Sequence, residues 1–279
     1  MHIFRLSVVV AAGLGLAACA GKTPREAEIR ASAAATALSV VKEGGGLDLR
    51  LARATWSAGD LNSAANLYRD ALSRNPGNPE ITIELADVLI DSGQPEQAVD
   101  LLKGISGDQA SAKASGDVSI GIERGMGRAY LAMQKPDAAL DHFIKARDKD
   151  PQEPRSLVDC GVALDLLRRH AEAQDSYRAA IRVAPHEMAA RNDLALSLAL
   201  TQQYDAALEI ILPVARLASA TPQIRQNLAL IYGLKGDSDT ADALSLVDLD
   251  RVETSSNMKL FSALRSGLAG PAAGSGTTP

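Results

Sequence analysis

Three stretches of this chain end in proline and share one internal spacing. Residues 61–76 read LNSAANLYRDALSRNP, 137–151 read DAALDHFIKARDKDP and 171–185 read AEAQDSYRAAIRVAP. Each has a small residue, an aromatic four positions later, alanine three after that and proline five after that. The sets are Ala64, Tyr68, Ala71, Pro76; Ala139, Phe143, Ala146, Pro151; and Ala173, Tyr177, Ala180, Pro185. Pro151 and Pro185 lie 34 apart, as do Gly127 and Gly161 upstream, which are followed by Tyr130 and Leu164. A fixed period of this length means a stacked repeat, because a unit so short cannot bury its own apolar face. Hydrophobic residues make up 46% of the chain and aromatics only 3%, so small side chains must carry the packing. That balance excludes a β-sandwich core and favours helices in close contact.

This spacing resembles the tetratricopeptide (TPR) pattern, whose unit is a helical hairpin of 34 residues. The resemblance implies an all-α fold, a solenoid (α-α superhelix) of about six helix pairs with capping helices. Extending the frame finds Gly59-Asp60 and Gly93-Gln94, 34 apart, at the turn between a unit's two helices, and Ala98 at the tight-packing site. Leu194, Ala195 and Ala207 continue it, then Leu228, Ala229, Tyr232, Gly236 and Ala241. The units are 45–78, 79–112, 120–153, 154–187, 188–221 and 222–255. Between the second and third the frame slips by seven residues, 113–119, and the Gly/Ser/Asp-rich stretch 104–117 reads as an inserted loop. The motif weakens where Leu102, Ile211 and Ser245 take the aromatic site and Ser219 the proline site.

The spacing has a physical reading. A Gly or Ala in the first helix lets the second approach, and a later alanine such as Ala139 is the matching hollow. An aromatic four residues on lies one turn away on the same face and fills the adjoining gap. Proline forbids continuation of the helix.

The first 19 residues, MHIFRLSVVVAAGLGLAAC, place Arg5 before an apolar run from Leu6 to Leu16. That run is far short of the roughly 20 residues needed to span a bilayer. Leu16-Ala17-Ala18-Cys19 resembles the lipobox of bacterial lipoproteins. The resemblance implies that 1–18 is a signal peptide and that lipidation falls on Cys19, which begins the mature chain and carries three acyl chains. More than one chain gives durable anchoring. Ala20, where an Asp signals inner-membrane retention in such lipoproteins, favours the outer membrane, with the protein facing the periplasm. Cys160 then remains as a lone thiol, expected to be buried.

Residues 20–24 read as a tether and 25–42 as an alanine-rich helix closed by Gly44-Gly45-Gly46. The region 19–44 is thus expected to be a lipidated tether and N-terminal helix. Residues 252–265 are expected to form a C-terminal capping helix with Met258, Leu260, Phe261 and Leu264 on one face, and 266–279 a disordered tail.

No HExxH, GxSxG, Walker loop or CxxC occurs, so no enzyme, cofactor or metal site is expected. The formal charge of −5, without a basic run, argues against nucleic acid. Two cysteines and four histidines do not make a disulfide scaffold or a structural zinc site. His142, His170 and His186 read as surface or packing residues. What remains is binding of protein or peptide partners, not of a small-molecule substrate. In TPR arrays the first helix of each unit lines a groove, and projection of that pattern selects Arg53 and Trp56, Asp87 and Ile90, Arg124 and Arg128, Arg155, Val158 and Asp165, then Asn192, Leu196, Gln226, Asn227 and Leu230. The arginines are suited to clamp a carboxylate, the amides to bond an extended backbone, and Trp56 to act as an aromatic anchor.

A lipobox followed by TPR units resembles a small set of outer-membrane lipoproteins, most closely the TadD-like family of the Flp (tight adherence) pilus system. That resemblance implies a pilotin-type role in assembling an outer-membrane secretin or other pilus components; PilF-type pilotins share the plan. The alternative is an envelope adaptor of the NlpI or BamD kind, serving peptidoglycan hydrolases or outer-membrane protein assembly.

Overall fold

The computed structural model describes residues 45–106 and 116–268. Among them every regular element is an α-helix. The chain divides into two compact units, Met1–Leu166 and Leu167–Pro279. The first holds α1 (Gly45–Ser57), α2 (Leu61–Arg74), α3 (Pro79–Asp91), α4 (Pro95–Ser106), α5 (Gly116–Ala132), α6 (Pro136–Lys149) and α7 (Pro154–Leu166). The second holds α8 (His170–Val183), α9 (Met188–Leu200), α10 (Tyr204–Ala215), α11 (Pro222–Lys235), α12 (Ser238–Ser245) and α13 (Arg251–Leu268). In chain order these are six helix pairs followed by α13, the all-α helix-pair class that the period implies.

Within the first unit each helix packs on the next, and α3 packs on α5 and α5 on α7. The second unit follows the same rule: α9 packs on α11, and α13 lies against both α11 and α12. Within each unit the odd-numbered helices are first helices of pairs, α3 touching α5 and α5 touching α7 in the first and α9 touching α11 in the second, where α13 occupies the place of a next first helix.

The turn inside each pair repeats in backbone conformation. Left-handed φ values occur at Gly59, Gly93, Gln134, Arg168, Gln202 and Gly236. Their spacing is 34, 41, 34, 34 and 34, so the period and its slip of seven are written into the backbone. At five of these turns the last helical carbonyls are closed the same way. Gly59 N–H donates to Trp56 O (2.9 Å) and Asp60 N–H to Thr55 O (3.2 Å), and the same pair of bonds recurs at Gly93, Gln134, Gln202 and Gly236. This crossed closure needs a left-handed residue just past the helix.

Between pairs, proline acts as the sequence suggests. The helices α2, α6 and α8 end at Arg74, Lys149 and Val183, each two residues before Pro76, Pro151 and Pro185. The residue preceding a proline is pushed out of helical geometry. New helices start on side-chain caps: Asn78 accepts from Ile81 N–H, Thr221 from Ile224 N–H, Asp60 from Ser63 N–H and Asp237 from Thr240 N–H.

The expected alanine hollows and aromatic plugs are buried. Ala64, Ala139 and Ala173 have no exposed surface, and Tyr68, Phe143 and Tyr177 have 1% or less. The packing is tightest around α5. A Cβ on Gly127 would come within 2.3 Å of the Phe143 ring, one on Gly125 within 2.9 Å of Leu102, and one on Gly121 within 3.0 Å of Ile83. Three missing side chains let α5 take up one neighbour from its own pair and two from the pair before. In the second unit Phe261 of α13 is seated on Gly233, whose added Cβ would lie 2.6 Å from the ring.

Two expectations are corrected. Residues 104–106 and 116–117 are helical, so any inserted loop is narrower than 104–117; Ile105 lies against the apolar core, and Asp117 sits favourably in the first turn of α5. Residues 266–268 are helical too, since Ser266 Oγ donates to Ser262 O and Gln202 Nε2 holds Leu268 O at 2.8 Å. The capping helix accordingly runs from Arg251 to Leu268. The signal peptide, Cys19, the helix at 25–42 and the tail beyond 268 lie outside the described residues.

Candidate protein-binding faces

In the first unit the first helices are tied across repeats by side chains that point the same way. Arg53 of α1 donates to Glu84 of α3, Nε to Oε2 at 2.9 Å. The indole N–H of Trp56 donates to Asp91 Oδ2 at 2.8 Å, and its ring meets Tyr68 edge-on at 6.5 Å. On the other side of α3, Arg128 of α5 donates to Asp87 at 2.6 Å and lies 3.9 Å from Asp91. Arg124 of α5 then reaches α7, donating to Asp159 at 2.7 Å, with Glu153 at 3.9 Å. The result is a ladder of cation and carboxylate running α1–α3–α5–α7.

Burial tunes this ladder. It works against the charge of Arg124 and Arg128, but the facing carboxylates, Asp159 and Asp87 foremost, hold both guanidinium groups above their ordinary range. Asp87 is pushed up because burial outweighs the attraction of Arg128. Arg53 is different. Its side chain is 54% exposed and its pairing with Glu84 is a surface contact.

Four of the groove residues expected from sequence, Arg53, Trp56, Arg124 and Arg128, thus share one face, and their donors are engaged by the neighbouring repeat. Arg155 on α7 is exposed. In the second unit the tie is neutral. Asn227 of α11 donates to Asn192 Oδ1 of α9 at 2.7 Å, Asn192 donates to Asp193 at 3.0 Å, and Gln223 donates to Asn227 Oδ1 at 3.2 Å. Gln226 reaches Ser245 O at 3.4 Å. Asn192 and Asn227 are buried, as are Leu196 and Leu230, so a ligand meets them only after these bonds open.

The partners Glu84, Asp91 and Asp159 were not singled out in the sequence. A signal was present: Trp56–Asp91, Arg124–Asp159 and Asn192–Asn227 are each 35 residues apart, one repeat plus one. Reading the period for side-chain pairs as well as for packing finds Asp91 and Asp159, while Glu84, 31 residues from Arg53, falls outside that spacing.

Other polar groups have structural surroundings. His142 Nδ1 lies 2.8 Å from Glu123 Oε2 and its ring stacks on Tyr130 at 5.3 Å. The contact with His142 holds the Glu123 carboxyl below its ordinary range. Cys160 is buried as expected, and burial pushes its thiol up to about 12, which leaves it unreactive. A shallow apolar groove lies between α2, α3 and α4, lined by Leu72, Gly77, Leu101 and Ile105. Among the described residues no helix is long and apolar enough to cross a membrane, and no cluster of three metal-ligating side chains occurs.

Comparison with known proteins gives a consistent family. The tetratricopeptide repeat matches residues 55–116, 124–173 and 167–220, more than half of the chain. The cellulose synthase operon protein C of Pseudomonas fluorescens is 38% identical over 89 residues, which is 31% of this chain and 7% of that protein. The chain spans only a small part of the curated relatives it matches, 13% of the length at most. A tetratricopeptide repeat protein from Parabacteroides merdae has the same fold over 85% of this chain and 94% of its own, with a TM-score of 0.61 at 14% identity. The Pseudomonas aeruginosa pilF structure covers 84% of this chain and 98% of its own, with a TM-score of 0.57 at 17% identity.

Proposed function

The chain belongs to the tetratricopeptide-repeat family, and on that premise we propose that it is a lipid-anchored scaffold of the outer membrane that holds protein partners during assembly of a Flp/Tad-type pilus and its secretin. Repeats of this family build scaffolds suited to protein–protein interaction, and no bond need be made or broken. The observation that carries the finer reading is the sequence Leu16-Ala17-Ala18-Cys19 ahead of the array. Acyl chains on Cys19 would confine the repeats to the membrane plane and raise their effective concentration near membrane-bound partners.

On this reading the first unit's ladder face is the contact surface. Arg53 is largely exposed, Arg128 and Trp56 are half-buried, and each is poised to exchange its intramolecular carboxylate for one on a partner. Arg124 would set the spacing of the helices that present that face and Arg155 would extend it, while Asn192, Gln226 and Asn227 would set the spacing of the first helices in the second unit.

A deletion strain complemented with wild type or Cys19→Ala tests the proposal. Loss of surface pili and of secretin multimers, restored by wild type and not by Cys19→Ala, is the expected result. Normal pili in the deletion strain, with defects in cell-wall remodelling or outer-membrane protein assembly, would shift the reading to an envelope adaptor. Unchanged membrane fractionation of Cys19→Ala would remove the anchor.

A further inference from the structure

The second unit is apolar outside and polar inside at one edge. Among the described residues the large hydrophobic side chains left exposed are Leu217, Leu246, Val247 and Val252, at 49%, 43%, 65% and 74%. Leu217 belongs to the α10–α11 turn, Leu246 and Val247 to the α12–α13 turn, and Val252 to the first turn of α13 that follows it. Those turns are neighbours in space, because the Arg225 guanidinium donates both to Ala220 O at 2.7 Å and to Asp248 Oδ2 at 2.8 Å. Beneath the second turn the polarity is reversed. Ser245 Oγ, Thr254 Oγ1 and Gln226 Oε1 are buried without a hydrogen-bond partner. Ser245 stands where three other pairs carry an aromatic plug and two carry Leu102 or Ile211, and α12 stops there after 8 residues, which turns Leu246 and Val247 outward.

Exposed aliphatics gathered at one place mark an interaction site, and buried polar groups left unsatisfied call for a reason. Charge narrows the partner. Residues 237–253 contain six carboxylates and one arginine. Asp248 is engaged by Arg225, Asp237 caps α12 and Asp250 accepts from the N–H groups of Val252 and Glu253 at the start of α13, while Asp242, one turn before Leu246, is exposed, as is Asp250. An anionic bilayer would be repelled by this rim. We propose that the edge formed by Leu217, Leu246, Val247 and Val252 is a docking surface for a partner protein segment that presents aliphatic or aromatic side chains between lysines or arginines. It is separate from the ladder face of the first unit and does not rest on the pilus reading.

The test uses the full-length chain in nanodiscs of neutral phosphatidylcholine and two labelled amphipathic helical peptides, one of leucine and lysine, the other of leucine and glutamate. Fluorescence anisotropy should show saturable binding of the lysine peptide only. Val247→Ser with Val252→Ser should weaken it about tenfold or more, since two apolar anchors are lost. Leu217→Ser, on the neighbouring turn, should weaken it as well. Asp242→Lys should shift preference toward the glutamate peptide. These positions are exposed, so helicity by circular dichroism should stay unchanged. Equal binding of both peptides, or lysine-peptide binding indifferent to the serine and lysine variants, overturns the proposal. So does self-association of wild type that the serine variants abolish, because a second copy would then be the occupant.

Discussion

Asn227 Nδ2 donates to Asn192 Oδ1 at 2.7 Å, joining two helices of successive repeats through a pair of buried amides. The same separation of 35 residues joins Trp56 to Asp91 and Arg124 to Asp159 in the first unit. One geometric relation between neighbouring first helices is thus served by neutral amides in one unit and by carboxylates that accept from an indole or a guanidinium in the other.

Asn227→Ala should cost about 1–3 kcal/mol, because it leaves Asn192 Oδ1 buried without its donor. Asn192→Leu combined with Asn227→Leu should cost less than the two single changes added together. Urea unfolding of the four proteins checks this; strict additivity would mean that the amides do not act as a pair.

Asp159→Asn should destabilise by about 1–3 kcal/mol, since Arg124 is left largely buried beside a weakened partner. Arg53→Gln should change stability by less than about 0.5 kcal/mol, because its pair with Glu84 is solvated. Equal losses in a denaturant titration would show that burial does not set the worth of these rungs.

Gly127→Ala should cost about 1–3 kcal/mol, as its methyl would collide with the Phe143 ring. Gly104→Ala meets open space in a helix and should stabilise by about 0.5–1 kcal/mol. Thermal unfolding of the two variants should move in opposite directions.

Gln134 and Gln202 hold φ of 57° and 61°, where a side chain is strained. Gln134→Gly should be neutral to stabilising by about 1 kcal/mol, Gln202→Gly should gain less because it also loses the bond to Leu268 O, and Gly59→Ala or Gly93→Ala should be destabilising by about 1 kcal/mol. Opposite signs in either pair would contradict the left-handed turn.

Acid should loosen specific contacts. Glu123, held low by His142, and Asp248, held low by Arg225, contribute stability that is present above their unfolded values and lost as pH falls through their lower folded values. Asp87 has the opposite sign: its raised folded value means that its ionised form costs stability, so its contribution falls as pH rises through that range. The urea midpoint should drop between about pH 4 and pH 2, and Glu123→Gln should flatten that slope.

The fold was legible because packing and turns repeat with the same period. Ala139 and Phe143, or Ala173 and Tyr177, announce a close helix pair, and the prolines at 76, 151 and 185 mark its end. The roles of Arg124 and Arg128 were less legible. A charged side chain on a first helix reads as a ligand clamp until the next repeat is laid beside it, and only then does a carboxylate such as Asp159 come within reach. The outer edges of 104–117 and the last turn of α13 were missed for another reason. Gly, Ser and Asp disfavour helix locally, and distant contacts, such as the one Gln202 makes with Leu268 O, overrule them.

The spacing of 41 between the turns at Gly93 and Gln134 leaves the stitch between Asp87 and Arg128 in place across the same 41 residues. An insertion that falls between hairpins shifts numbering without shifting who touches whom. The junction between the second and third pairs is therefore where this architecture tolerates a change of length, and the natural port for splicing in a reporter or a cleavage site.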